Sequence, residues 1–146
     1  MKTRHRAYAY ITNGCRLLLF TQPGAPEAGI QVPAGTIEPG ENPRDAVMRE
    51  AQEETGLSGI RFVRFLARDT RDMRDCGSDE LQHRWFFHLS LEGPTEETWR
   101  YGEHSEDGSL IHPFDFFWAD VLTLPQLVAG YDDKIDLLIK SIKTDK

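Results

Sequence analysis

Cysteine is scarce in this sequence, and long apolar runs are missing. Cys15 and Cys76 are the only thiols among 146 residues. They lie far apart and in no C-x-x-C arrangement, which excludes a metal knuckle and a dense disulfide framework. The longest apolar stretch lies within "RLLLF" (Arg16–Phe20) and is too short for a signal-peptide core or a membrane span. The start, "MKTRHRAYAY", is basic but leads into no apolar run, so a cytoplasmic protein is expected. Positive charge is also in short supply: 17 Lys and Arg stand against 24 Asp and Glu, a net charge of −7. That argues against non-specific attraction to nucleic acid or to a membrane. It leaves room for a small anionic substrate, because a bound divalent cation inverts the local field. There is no repeat, low-complexity tract or linker-like stretch, and the length suits one domain spanning residues 1–146.

The segments that remain are mostly strand-like. "AYAYIT" (Ala7–Thr12) and "CRLLLFT" (Cys15–Thr21) flank Asn13-Gly14, a strong hairpin signal. A loop rich in Pro and Gly leads to "IQVPAG" (Ile30–Gly35), a short extended piece that Pro33 restricts to an edge or a strand end. A helix is expected over Pro43–Thr55: Asn42 suits the N-cap, Pro43 the first helical position, and Gly56 the left-handed cap. Strands are expected over Ile60–Arg68, His83–Leu91 and near Thr98–Glu103 and Leu110–Trp118, the last two joined by a turn at Asp107-Gly108. Arg68–Glu80 reads as a polar loop and "LPQLVAG" (Leu124–Gly130) as a short helix. Asp132–Lys143 reads as a helix from the spacing of Ile135, Leu138, Ile139 and Ile142. The expected fold is α+β, a mixed sheet with helices packed on its faces.

The expected central helix has an unusual face. Glu50, Glu53 and Glu54 fall on one arc, beside an arc of Val47, Met48 and Ala51 that suits the core. Like charges at i, i+4 repel, and the C-terminal half of a helix disfavours anions. A solvated acidic face explains the three glutamates taken alone. A hard cation such as Mg²⁺, which prefers carboxylate oxygens and shares its shell with substrate phosphates, explains the local conflict better. Around them, Gly35 lets its carbonyl approach a metal with no Cβ in the way. Gly40 permits the turn that brings Glu41 to the helix start, and Arg49 offers a fork for a carboxylate.

Read in order, the stretch is Gly35, five residues, Glu41, seven residues, Arg49-Glu50-Ala51, one residue, Glu53-Glu54, one residue, Gly56-Leu57. This resembles the signature of the Nudix hydrolases, G-x5-E-x7-R-E-U-x-E-E-x-G-U with U apolar, at every fixed position, with Ala51 a small choice for an apolar slot. The resemblance covers Gly35 to Leu57. It implies a Nudix-type α/β/α sandwich with a mixed central β-sheet. It also implies hydrolysis of a nucleoside diphosphate linked to another moiety, with Mg²⁺ or Mn²⁺. By motif position, Glu50, Glu53 and Glu54 resemble the metal ligands, helped by the Gly35 carbonyl. Arg49 resembles the residue that orients a glutamate, and Glu41 an outer-sphere or structural carboxylate. The general base is expected to be Glu53 or Glu54, with Glu96, Glu97, Glu103, Glu106 and Asp107 as loop alternatives.

Substrate choice lies outside the motif. Family members acting on ADP-ribose often carry a proline soon after it, and none occurs from Leu57 to Gly93. Dinucleoside-polyphosphate types often carry a tyrosine there, and none occurs before Tyr101. Arg68 and Arg71 are candidates for phosphate contacts, and Trp99 and Tyr101 for base stacking. His83, His88, His104 and His112 read as structural or surface residues. The partner is expected to be a small nucleotide or diphosphate, with no nucleic acid or membrane, and with a homodimer suggested by the family. Two other readings stay open: a non-catalytic Nudix-like binding or regulatory domain, and a metal-dependent hydrolase of non-nucleotide pyrophosphates.

Overall fold

The structure is a computed structural model that describes residues 1–145, apart from the side chain of Glu103. Seven strands form one mixed sheet: β1 (Lys2–Asn13), β2 (Arg16–Thr21), β3 (Ala34–Thr36), β4 (Arg61–Asp72), β5 (Glu80–Ser90), β6 (Thr98–His104) and β7 (Leu110–Asp120). The helices are α1 (Pro43–Thr55) and α2 (Ile135–Thr144). The sheet order is β4-β5-β1-β2-β7-β6, with β3 paired to β1 off that path. Strands β1 and β5 run parallel over eleven paired residues, and the other neighbours are antiparallel.

Alternation along β1 sorts the core into two layers. Ala7, Ala9 and Ile11 face α1 and pack with its Ala46, Val47 and Ala51. Tyr8 and Tyr10 face the other way, with Leu17, Leu19, Phe86 and Leu138 of α2. One helix therefore covers each face, which makes an α/β/α sandwich. The small Ala7 and Ala9, both buried, let α1 lie close to the sheet.

The hairpin at Asn13-Gly14 forms, but its strands part almost at once. Only Thr12–Leu17 and Asn13–Arg16 pair between β1 and β2. Nearer its start, β1 takes β3 as its neighbour through Arg6–Thr36, Ala7–Gly35 and Tyr8–Ala34. On the other side of the gap, Phe20 of β2 bridges to Gln31. The sheet is thus split between β1 and β2, and α1 starts just past the split.

Helix α1 matches its expected bounds. The Asn42 side chain accepts from the Arg44 amide at 2.8 Å, and Gly56 takes the left-handed conformation at φ 73°. Three expectations differ. Arg68–Glu80 is not one loop, because β4 continues to Asp72 and a 3-10 turn follows at Met73–Cys76. Strand β4 lies at a sheet edge, so its outward charged residues remain in water and its hydrophobic alternation is weak. The segment Leu124–Gly130 is not helical. Its Val128 amide donates to the Ile30 carbonyl at 3.0 Å, and Leu127 is buried under the sheet, so tertiary contacts replace helical ones. Helix α2 begins later, at Ile135.

Candidate active site

The split in the sheet opens into a cleft with a volume of about 620 Å³, a size suited to a nucleotide-sized ligand. One wall is the C-terminal half of α1, and Glu50, Glu53 and Glu54 all reach the cleft. The floor comes from β1, β2 and β3 through Arg6, Phe20, Val32 and Ala34, and the β6–β7 hairpin overhangs it with Tyr101, His104 and His112.

Arg49 organises the acidic wall. Its Nε and Nη2 donate to the two carboxylate oxygens of Glu41, each at 2.9 Å. Its Nη1 donates to Glu50 at 2.8 Å and to Glu53 at 3.3 Å, and Nη2 also reaches the Thr36 carbonyl at 3.2 Å. One guanidinium thus ties the loop–helix junction to two glutamates of the wall. This fork to Glu41, with the Glu38 amide also donating, holds the Glu41 carboxyl down at about 2.

Glu54 is in a different state. It has no ion pair among the described residues, since those of the wall run through Arg49 to Glu41, Glu50 and Glu53. Burial, and then the neighbouring charge of Glu50, push its carboxyl up to about 8, against a smaller opposing pull from Arg6. Gly35, which pairs with Ala7 of β1, has a steric reason to be glycine. A Cβ there would collide with the carboxyl group of Glu50, so any side chain would displace that carboxylate.

These features suit a hard divalent cation. Three carboxylates face one cleft, one of them half-buried and uncompensated, and oxygen-only donors are what Mg²⁺ and Mn²⁺ prefer. Among the described residues no three acid, imidazole or thiol side chains yet converge on a common point. Arg49 instead draws Glu50 and Glu53 toward itself.

The other sequence candidates lie elsewhere. Arg68 and Arg71 are on β4, across the sheet from the cleft. Arg68 stands 4.5 Å over the Trp85 ring, and Arg71 pairs with Asp75 at 3.1 Å and Asp133 at 3.4 Å. Trp99 donates its indole N–H to the Thr55 carbonyl at 2.9 Å and stacks on Phe116, so it packs beneath the helix end and not in the cleft. Tyr101, its fellow stacking candidate, does line the cleft, with its ring over Gly56. Of the loop carboxylates, Glu97 pairs with Arg16 at 2.7 Å, and Asp107 accepts from Ser105 and Ser109 within its own turn. The Glu103 side chain lies outside the described residues.

Sequence reasoning missed Arg6, Gln22, Gln31 and Tyr131, and read His104 and His112 as structural or surface residues, although all six line the cleft. Arg6 left one trace. It is a charged residue in line with Tyr8 and Tyr10, just before the buried run Ala7–Thr12 of its strand.

A family model for the NUDIX domain matches residues 2–135. Among related sequences, the 8-oxo-dGDP phosphatase NUDT18 of Mus musculus is 39% identical over a region covering 43% of this chain and 25% of that protein. The Homo sapiens protein of the same name is 35% identical with the same coverage. The aligned region thus takes up a quarter of the length of these relatives. Among solved structures, a UDP-X diphosphatase superposes with a TM-score of 0.68 at 20% identity, covering 100% of this chain and 66% of that one. A MutT NUDIX hydrolase from Burkholderia pseudomallei gives 0.62 at 23% identity, covering 94% and 99%. At these identities the structural likeness speaks for the fold.

Proposed function

The chain belongs to the NUDIX domain family, and from that premise we propose that it is a pyrophosphohydrolase. Its substrate is a nucleoside diphosphate joined to a further group, and its cofactor is Mg²⁺ or Mn²⁺. The observation that carries the reading is the meeting of Glu50, Glu53 and Glu54 in one nucleotide-sized cleft, with Arg49 bracing two of them. The relatives named as phosphatases of 8-oxo-dGDP support the nucleotide class.

Glu50, Glu53, Glu54 and the Gly35 carbonyl would hold the cation. When bound, it would neutralise phosphate oxygens and acidify the attacking water. The rest falls to the protein. Arg49 keeps the glutamates from swinging away, and Glu41 anchors Arg49. A water attacks one phosphorus in line with the bridging oxygen, the bridging P–O bond breaks, and the leaving phosphate departs with that oxygen. A glutamate at the end of α1 accepts the water proton. Glu53 and Glu54 are the candidates for that role, since both reach the cleft beside the cation site. Two exposed free thiols, Cys15 and Cys76, fit a reducing, cytoplasmic setting.

The test is a panel of nucleoside diphosphates and triphosphates, nucleotide sugars, ADP-ribose, dinucleoside polyphosphates and non-nucleotide pyrophosphates, assayed with Mg²⁺ and with Mn²⁺. Release of a nucleoside monophosphate is expected from at least one nucleotide, lowered by orders of magnitude in Glu53→Gln and Glu54→Gln. Wild-type turnover in both variants, or turnover only of non-nucleotide pyrophosphates, would refute the proposal.

A further inference from the structure

Arg6 is held in the middle of the split strand. Its backbone pairs with Thr36 of β3 on one side and Arg84 of β5 on the other. The arginines around it are satisfied. Arg4 donates to the Thr36 hydroxyl at 2.8 Å and pairs with Glu80. Arg84 is buried against Asp69 at 2.6 Å and Asp133 at 2.9 Å. Arg6 has no carboxylate partner of this kind among the described residues, and its Nε is buried with no hydrogen-bond partner. Its side chain nevertheless lines the cleft, on the side where Tyr131 and Ala34 stand and facing the field of Glu54. The Tyr8 ring lies 5.9 Å from its guanidinium, at the outer limit of a useful cation–π contact.

A buried donor left idle is destabilising, and a guanidinium in a cleft is a fork with five N–H groups to give. Among the described residues only the Tyr8 and Tyr131 hydroxyls come within its reach, and no carboxylate takes that fork. An anion in the cleft would.

We propose that Arg6 binds the substrate's diphosphate directly, donating its guanidinium N–H groups to non-bridging phosphate oxygens opposite the α1 glutamates. This rests on the reading of the cleft as a pyrophosphohydrolase site. The consequence is a substrate gripped from two sides. The glutamate wall acts through a cation, and Arg6 acts without one. Because Arg6 is fixed by strand pairing on both flanks, it sets where the phosphates sit relative to the wall. Arg6 is thus a substrate-binding residue, and Lys would supply charge there but not the planar fork.

Two measurements on the full chain test this. The first titrates inorganic pyrophosphate in EDTA by calorimetry, with wild type, Arg6→Gln and Arg6→Lys. The second measures kcat and KM with Mg²⁺ on whichever nucleotide the wild type turns over. Wild type is expected to take up pyrophosphate in EDTA, and Arg6→Gln to bind it about 10- to 100-fold more weakly. In turnover, KM should rise about tenfold or more in Arg6→Gln and less in Arg6→Lys, with kcat changing less than KM. If Arg6→Gln fails to fold, Arg6→Lys keeps the charge and packing, and its raised KM carries the test. Pyrophosphate affinity and KM within twofold of wild type in the folded variants, or no pyrophosphate uptake by wild type in EDTA, would overturn the proposal. Arg6-dependent pyrophosphate uptake without turnover of any nucleotide would sink the hydrolase reading alone. Turnover that Arg6→Gln leaves untouched would sink this inference alone.

Discussion

Replacing Glu54 by Gln should make the cation-free protein more stable while destroying its activity. Glu54 is half-buried, unpaired among the described residues, and faces Glu50 across the helix turn. Its carboxyl titrates near 8 in the folded chain against an ordinary value of 4.5. A carboxyl with a raised folded value binds more protons folded than unfolded. Its contribution to stability is therefore intact below 4.5 and is lost as pH rises toward 8. At pH 7 the full difference amounts to about 3 kcal/mol, and solvent screening at this partly exposed site reduces it to about 1–2 kcal/mol. Gln removes the charge but keeps the shape. In EDTA at pH 7.5, Glu54→Gln should thus unfold about 3–6 °C above wild type for a chain of this size. At pH 4.5 the gap should nearly close, because the folded wild-type carboxyl is then protonated and the unfolded one half protonated. Saturating Mg²⁺ should reverse the order, since wild type gains binding energy that the variant lacks. Thermal unfolding followed by circular dichroism gives all three readings. A variant no more stable than wild type in EDTA at pH 7.5 would refute the claim that the empty cleft opposes ionisation of Glu54.

Gly35→Ala should lower turnover at least tenfold while unfolding within a few degrees of wild type, because the new Cβ displaces the Glu50 carboxylate; steady-state kinetics beside a melting curve checks both halves. His88 is buried between Thr12 at 2.8 Å and Ser141 at 2.6 Å, and burial lowers its pKa to about 4. Its folded value lies below its unfolded one of 6.5, so its contribution is present above 6.5 and lost as pH falls toward 4. Wild type should accordingly lose about 2–3 kcal/mol more than His88→Gln between pH 7 and pH 4 in urea unfolding. Arg84→Met should cost about 1–3 kcal/mol by chemical denaturation, because it removes a buried guanidinium from Asp69 and Asp133 and leaves them only Lys134 and Arg71.

Much of the acidic wall was readable along the chain because it is local. Asn42, Pro43 and Gly56 delimit α1 by backbone rules that act within a few residues. The phase of a single helix then places Glu50, Glu53 and Glu54 on one side, and Arg49 needs only one turn of helix and a short loop to reach Glu41. Strand extents were harder to see. Strand β1 runs back to Lys2 and β4 on to Asp72 through charged residues, because parallel pairing with β5 and an edge position, respectively, tolerate polar side chains. Neither partner is visible in a window of ten residues.

The far side of the cleft belongs to the tertiary structure alone. Arg6, Phe20, Val32 and Tyr131 come from four separated segments, and they meet because β1 leaves β2 after two pairs and takes β3 instead. Arg68, Arg71 and Trp99 carry the right chemistry for phosphate or base contacts, yet strand order and packing turn them to other partners. The chemistry of the wall is written in short-range spacing, where helix geometry converts sequence separation directly into distance. What faces that wall depends on which strands pair over long separations, and spacing along the chain carries no measure of that.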